Sequence, residues 1–122
     1  MPSPIGRIKL GRLGEEVAAG FLLEKGYRIR ERNYRCRIGE IDLIADHKEY
    51  LVFVEVKSRY YSTIMVNPLI SITQKKRQKL RLLGQTYLIQ RNIRSKQPRF
   101  DVITIIFKSD KQYALEHIEN AF

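Results

Sequence analysis

Cysteine is almost missing from this chain: the one thiol, Cys36, leaves no internal disulfide and no cysteine-rich zinc site to assemble. Any metal must therefore be held by oxygen ligands. Long hydrophobic runs are missing too. No stretch approaches the roughly 18 uninterrupted apolar residues of a membrane span, and residues 1–10 carry no apolar core followed by a small-residue cleavage site. A cytoplasmic protein with no membrane partner is expected. There is no internal repeat, low-complexity tract or domain linker, so the expectation is a single domain over residues 1–122. Acid is scarce, with 13 Asp and Glu against 23 Lys and Arg and a formal net charge of +10. A field of that sign concentrates polyanions through Coulomb attraction and counterion release, which makes nucleic acid the natural partner. The same charge also serves solubility.

What is present reads as an ordinary globular chain, 43% hydrophobic and 30% charged. Over residues 6–25, Leu10, Leu13, Val17 and Phe21 recur at helical spacing and Gly26 follows as a stop. Residues 27–34 alternate in polarity, and 38–45 and 51–57 are β-branched and apolar, so three consecutive strands are predicted, the last two joined by the polar stretch 46–50. Residues 60–71 have no clean period and contain Asn67-Pro68, which predicts a loop. Thr73 is the natural N-cap of a second helix running to about residue 92, with Leu80, Leu83, Tyr87 and Leu88 on its apolar side. A linker through Pro98 ends it, and strands over 100–107 and 112–118 follow. The expected fold is α/β in the order αβββαββ, a mixed sheet of about five strands flanked by helices.

The chemistry centres on Phe53-Val54-Glu55-Val56-Lys57. Strand alternation puts Phe53, Glu55 and Lys57 on one face and the valines on the other. A desolvated charge in such a strand costs several kcal/mol unless it is paired or binds a metal, and pairing of Glu55 with Lys57 is the plain alternative. The preceding strand, Gly39-Glu40-Ile41-Asp42-Leu43-Ile44, carries a second acid inside an apolar run. A hairpin closed over residues 46–51 sets Asp42 directly across from Glu55 on the same face. Opposed carboxylates repel, and a divalent cation between them would hold them together, Mg²⁺ being the obvious candidate. A two-residue slip of register leaves both acids on that face, whereas a one-residue slip separates them. Lys57 beside such a cation has a job: orienting or deprotonating an attacking water and stabilising developing charge at a scissile phosphate. On the first helix Glu15 shares a stripe with Ala18, Ala19 and Leu22, so it points inward more than Glu16 does. The plain alternative is that it merely supports the helix N-terminus, where negative charge is favourable.

Five segments carry a resemblance: Gly11-x-x-Gly14-Glu15, Glu31-x-Asn33-Tyr34-Arg35, Gly39 to Ile44, Phe53-Val54-Glu55-Val56-Lys57-x-Arg59, and Arg99-Phe100-Asp101-Val102. Together, over nearly the whole chain, they closely resemble the YraN-like uncharacterised protein family. That family looks like a branch of the restriction-endonuclease-like nuclease superfamily named for its Asp and Glu-x-Lys motif, and is similar to archaeal Holliday junction resolvases. The resemblance implies that Asp42 and Glu55 are metal ligands for Mg²⁺ or Mn²⁺, joined by the main-chain carbonyl of Val56. It implies that Lys57 is the catalytic base or water-orienting group, that Glu15 is an auxiliary catalytic acid, and, by analogy with resolvases, a homodimer. Where relatives have Phe-Gly-x-Pro followed by a Glu, this chain has Met65-Val66-Asn67-Pro68 and then Ile70, which leaves the acidic centre intact.

Basic residues complete the reading. Lys75, Lys76, Arg77 and Lys79 crowd the start of the second helix against its dipole, which a bound polyanion would offset. Arg35, Arg37 and Arg59 are further candidates for phosphate contact; for the first two, as for Arg99, the site carboxylates are the alternative partner. Asp101 reads equally well as a structural acid, and His47, at a hairpin tip, as a solvated turn residue. Cys36 has no His partner to make it a nucleophile. The expectation is a metal-dependent endonuclease hydrolysing phosphodiester bonds in DNA, branched or single-stranded forms included; the alternative is a non-catalytic nucleic-acid-binding or adaptor module of the same fold.

Overall fold

The computed structural model describes residues 6–62 and 72–122. Its elements are α1 (Arg7–Glu24), β1 (Arg28–Arg35), β2 (Glu40–His47), β3 (Tyr50–Tyr60), α2 (Gln74–Gln90), β4 (Gln97–Phe107) and β5 (Tyr113–Ile118), the expected αβββαββ order. The strands form one sheet in the order β1-β2-β3-β4-β5, antiparallel throughout except for the parallel pair β3 and β4. A parallel neighbour requires a crossover that returns the chain to the starting end of the sheet, and α2 lies in that crossover.

Each helix covers one face. Ala18, Ala19 and Leu22 of α1 pack with Leu43, Ala45, Val52, Val54, Ile103, Ile105 and Phe107. Leu80, Leu83 and Tyr87 of α2 pack with Ile41, Ile44, Leu51, Phe53 and Phe100 on the other side. Residues 51–54 of β3 are buried whichever way they point, which is why they read as an unbroken apolar run rather than an alternation. In α1 the large residues picked out by periodicity, Leu10, Leu13, Val17 and Phe21, border the buried face, while small alanines hold its centre. Small residues there let the helix approach the sheet closely.

Gly14 brings that approach to its limit. A methyl group on it would overlap Ser58 Oγ and lie 2.9 Å from Ser58 Cβ, an atom fixed by the β3 backbone. Gly14→Ala is therefore expected to destabilise the fold by about 1–3 kcal/mol through overpacking, although alanine in a helix is favoured over glycine by about 1 kcal/mol. Thermal melts check this; a variant as stable as wild type would mean that α1 does not seat on β3 at this point.

Three boundaries differ from the sequence expectation. The β2–β3 connection is a tight turn of Lys48 and Glu49, with Lys48 in the left-handed region (φ 54°), rather than a longer loop. The register survives, because shortening the loop symmetrically keeps the same residues opposite. His47 is consequently a strand residue and not a solvated tip: its ring stacks on Tyr27 at 3.9 Å between centroids. Strand β4 begins at Gln97, so Pro98 belongs to a strand instead of a linker. It is tolerated because β5 pairs with β4 only from Val102 onward, leaving one side of Pro98 without a ladder to break. Of the loop predicted over residues 60–71, Tyr60 ends β3, and residues 63–71 lie outside the described residues. Among the described residues no helix is long and apolar enough to cross a membrane.

Candidate active centre

The β2–β3 ladder runs from His47 opposite Tyr50 to Leu43 opposite Val54 and stops there. Beyond it the strands part, and the Asp42 side chain takes over from the backbone: its Oδ2 accepts the Val56 N–H at 2.8 Å. Leu43 and Val54 belong to the α1-side core, and Ile44 and Phe53 to the α2-side core. Alternation from Phe53 turns Glu55 toward α2; at Asp42 the pleat is irregular, since Ile41 and Leu43 belong to opposite cores, and it is the cleft that brings the two acids together. Both line a cleft of about 490 Å³ whose other walls include Glu40, Lys75, Lys76 and Lys79. In a strand the N–H and C=O of one residue point to the same neighbour, so the Val56 carbonyl also faces the gap left by the parting of β2.

The charges in this cleft are unevenly matched. Glu55 Oε1 accepts a hydrogen bond from Lys76 Nζ at 3.0 Å and has Lys57 Nζ at 3.8 Å. Asp42 makes no ion pair with any described residue. Burial, and then the Glu55 charge, push its carboxyl up to about 7, with Glu15 and Glu40 adding to the repulsion and the Val56 N–H opposing it. Lys57 is held below the ordinary lysine range by burial first and by the neighbouring Lys76 ammonium second. For Lys76 burial also disfavours the charge, but the bond to Glu55 outweighs it and the net shift is upward. Glu15 reaches this field from α1. Burial raises its pKa, a hydrogen bond with Asn33 opposes the rise, and Glu40 and Glu55 add repulsion.

The sequence model of the uncharacterised protein family UPF0102 matches residues 14–105, which span α1 from Gly14, the whole centre and most of β4. The chain belongs to that family. It is 41% identical over 120 residues to the UPF0102 protein of Caldanaerobacter subterraneus subsp. tengcongensis, covering 97% of this chain and 98% of the relative. It is 45% identical over 114 residues to that of Pelotomaculum thermopropionicum (93% and 94%), and 43% identical over 115 residues to that of Clostridium botulinum strain Okra (93% of each).

In this family member the residues singled out from sequence fall into two groups. Asp42, Glu55, Lys57 and Lys76 form one connected electrostatic cluster, with Lys75 and Lys79 on the wall of the same cleft and Glu15 within its field. Arg35 is exposed and bonded to Glu40 at 2.9 Å, and Arg37 is exposed in the turn that follows β1. Arg59 lies half-buried near the end of β3. Arg77 turns elsewhere: it donates to the Ile72 carbonyl and sits over the Phe122 ring. Arg99 lies on the opposite face of the sheet, bonded to Asp101.

Two contributors were not singled out. Glu40 lines the cleft, and its i, i+2 relation to Asp42 on a strand is the signal that marks it. Asn33, the partner of Glu15, stands in the left-handed region (φ 53°) within β1, a conformation that asparagine tolerates better than most residues.

A divalent cation fits some features of this donor set and strains against two. Asp42 keeps an oxygen clear of the Val56 bond, the donors are all hard oxygens, and the Glu55 charge adds to burial in raising the Asp42 carboxyl. Against this, Lys76 already holds Glu55. Among the described residues there is also no group of three His, Cys, Asp or Glu side chains placed to hold a metal, so the ligand set would be two carboxylates completed by the Val56 carbonyl and water.

Proposed function

We propose that this chain is a metal-dependent endonuclease, of the restriction-endonuclease-like superfamily and akin to the archaeal resolvases, that hydrolyses phosphodiester bonds in DNA. One observation carries the reading: Asp42 and Glu55 face the same cleft across the point where the β2–β3 ladder opens, with Lys57 beside them. Asp42, Glu55 and the Val56 carbonyl would hold Mg²⁺ or Mn²⁺, whose chemistry when bound is Lewis-acid polarisation of phosphoryl and water oxygens. Lys57, held below the ordinary lysine range, is suited to orient a water and to take part in moving its proton. Lys75 and Lys79 on the cleft wall attract the phosphate backbone without reading sequence. Glu15 acts as an auxiliary acid from α1. A homodimer follows by analogy, since cutting both strands of a junction calls for two centres.

The test is a panel of duplex, nicked, flap and four-way-junction DNA, and RNA counterparts, incubated with Mg²⁺ or Mn²⁺. Cleavage of at least one substrate is expected, and Lys57→Ala should slow it by roughly 10²–10⁴-fold while binding persists. If the protein retains these substrates but cuts none at high protein concentration, catalysis is the wrong assignment. A specific observation favours the second reading, a non-catalytic nucleic-acid-binding module: Lys76 satisfies Glu55 without any metal.

A further inference from the structure

Lys76 works against a bound cation in the cleft by holding Glu55, and the contradiction can be resolved in its favour. Two ammonium groups crowd a single carboxylate oxygen, with Lys76 Nζ at 3.0 Å and Lys57 Nζ at 3.8 Å from Glu55 Oε1, whereas Asp42 across the gap has no ion pair with a described residue. The positive charge is thus misallocated for a resting ion-pair network, which would share it between the two acids. The lysines also differ in how they are held. Lys57 lies on β3, where its backbone is held by pairing with Thr104 of β4. Lys76 comes from the first turn of α2, just after the Thr73 cap, with its side chain 38% exposed. A long flexible stem at a helix start can swing its head by several ångströms without moving the backbone. Lys75 and Lys79 already stand on the wall toward which it would swing.

Resting on the nuclease reading, we propose that Lys76 is an exchangeable counter-ion: it occupies Glu55 Oε1 until a divalent cation displaces it, and the released ammonium then takes a phosphate oxygen of the nucleic acid in the cleft. Lys76 is on this account a positioning residue that couples cation entry to substrate grip. The coupling is reciprocal, because whichever ligand draws Lys76 away makes it easier for the other to bind.

Two measurements test it without relying on turnover. Titration calorimetry with Mn²⁺ and no nucleic acid should show Lys76→Met binding the ion roughly five- to tenfold more tightly than wild type. Lys75→Met, which removes the same charge from the cleft wall, should change affinity about twofold or less. Binding to a short duplex should then be compared in Ca²⁺ and in EDTA, where Lys76→Met should lose roughly three- to tenfold in Ca²⁺ and little in EDTA. Equal Mn²⁺ affinities for the two variants, or an equal loss of duplex binding in both buffers, overturns the counter-ion role while leaving the nuclease reading intact. Failure of wild type and Lys76→Met alike to take up Mn²⁺ overturns both. Thermal melts of the methionine variants, expected to lie close to wild type because the replaced stems are isosteric, guard against misfolding as the cause.

Discussion

Asp42→Asn is expected to melt higher than wild type at pH 8 and to lose phosphodiester cleavage by roughly a thousandfold or more. The two effects have one cause. The carboxyl is raised from 3.8 to about 7 because burial and the facing Glu55 disfavour its charge. A group whose native pKa lies above its unfolded value supports the fold fully below the unfolded pKa, and that support is lost as pH rises through the native pKa. The penalty therefore builds from about pH 4 and is complete above pH 7. Asparagine keeps an oxygen to accept the Val56 N–H and carries no charge to repel Glu55. Its advantage should be on the order of 2 kcal/mol at pH 8, several degrees in Tm, and much smaller near pH 5. Mg²⁺ should raise the Tm of wild type at pH 8 and leave that of the variant unmoved. Were Asp42→Asn to melt lower at pH 8, the carboxylate would be a structural acid and the strained pair at the ladder's end would be no site. Residues that weaken the fold and yet serve the chemistry are the usual signature of a functional centre.

This centre was visible in sequence because the β2–β3 register follows from parity, although the pleat breaks at Asp42, where Ile41 and Leu43 face opposite cores. On regular strands Asp42 and Glu55 share a face in any register that keeps the parity, and the turn of Lys48 and Glu49 keeps it despite being shorter than the polar stretch suggests. Other features depend on approaches between distant segments, which no local pattern encodes. The contact of Gly14 with Ser58 sets how deeply α1 lies, and hence how near Glu15 comes to the acids, yet the sequence offers only a glycine in a helix. The grip of Lys76 on Glu55 crosses 21 residues and was legible only as one lysine among several. Pro98 misled for the opposite reason. Its punctuating role is a local rule, and the rule yields where β5 leaves that side of β4 open.

The largest loss of stability should follow from Asp101→Asn, on the face of the sheet away from the cleft. Asp101 is fully buried yet completely paired. Arg99 donates to both of its oxygens at 3.0 and 2.9 Å, the His117 ring nitrogen Nε2 lies 2.7 Å from Oδ2, and the Asn120 N–H donates at 2.9 Å. The same guanidinium donates to the Tyr27 hydroxyl at 2.6 Å, so the cluster ties the start of β1 to β4 and to the end of β5. An amide offers one acceptor oxygen where the carboxylate offers two, and it leaves a buried guanidinium with only the exposed Glu119, 4.0 Å away, as counter-charge. Breaking such a pair costs about 3–5 kcal/mol, a large share of the 5–15 kcal/mol that typically holds a domain. Acid should find the same weak point. Burial alone would raise the Asp101 carboxyl, but the bonds from His117 and Arg99 outweigh it and hold its pKa below the ordinary aspartate range. A lowered native pKa means support that is complete above the unfolded pKa, about 4, and lost as pH falls through the native value. Wild type should therefore lose stability steeply below pH 4, and Asp101→Asn, already without the charge, should show a shallower decline. Urea midpoints at pH 7, 4 and 3 measure both. A variant within about 1 kcal/mol of wild type at pH 7 would show that the cluster binds these strands no better than an amide does. Because Asp101 lies on the α1 side of the sheet and the cleft on the α2 side, the nuclease reading expects molecules of the variant that remain folded to cut DNA at close to the wild-type rate.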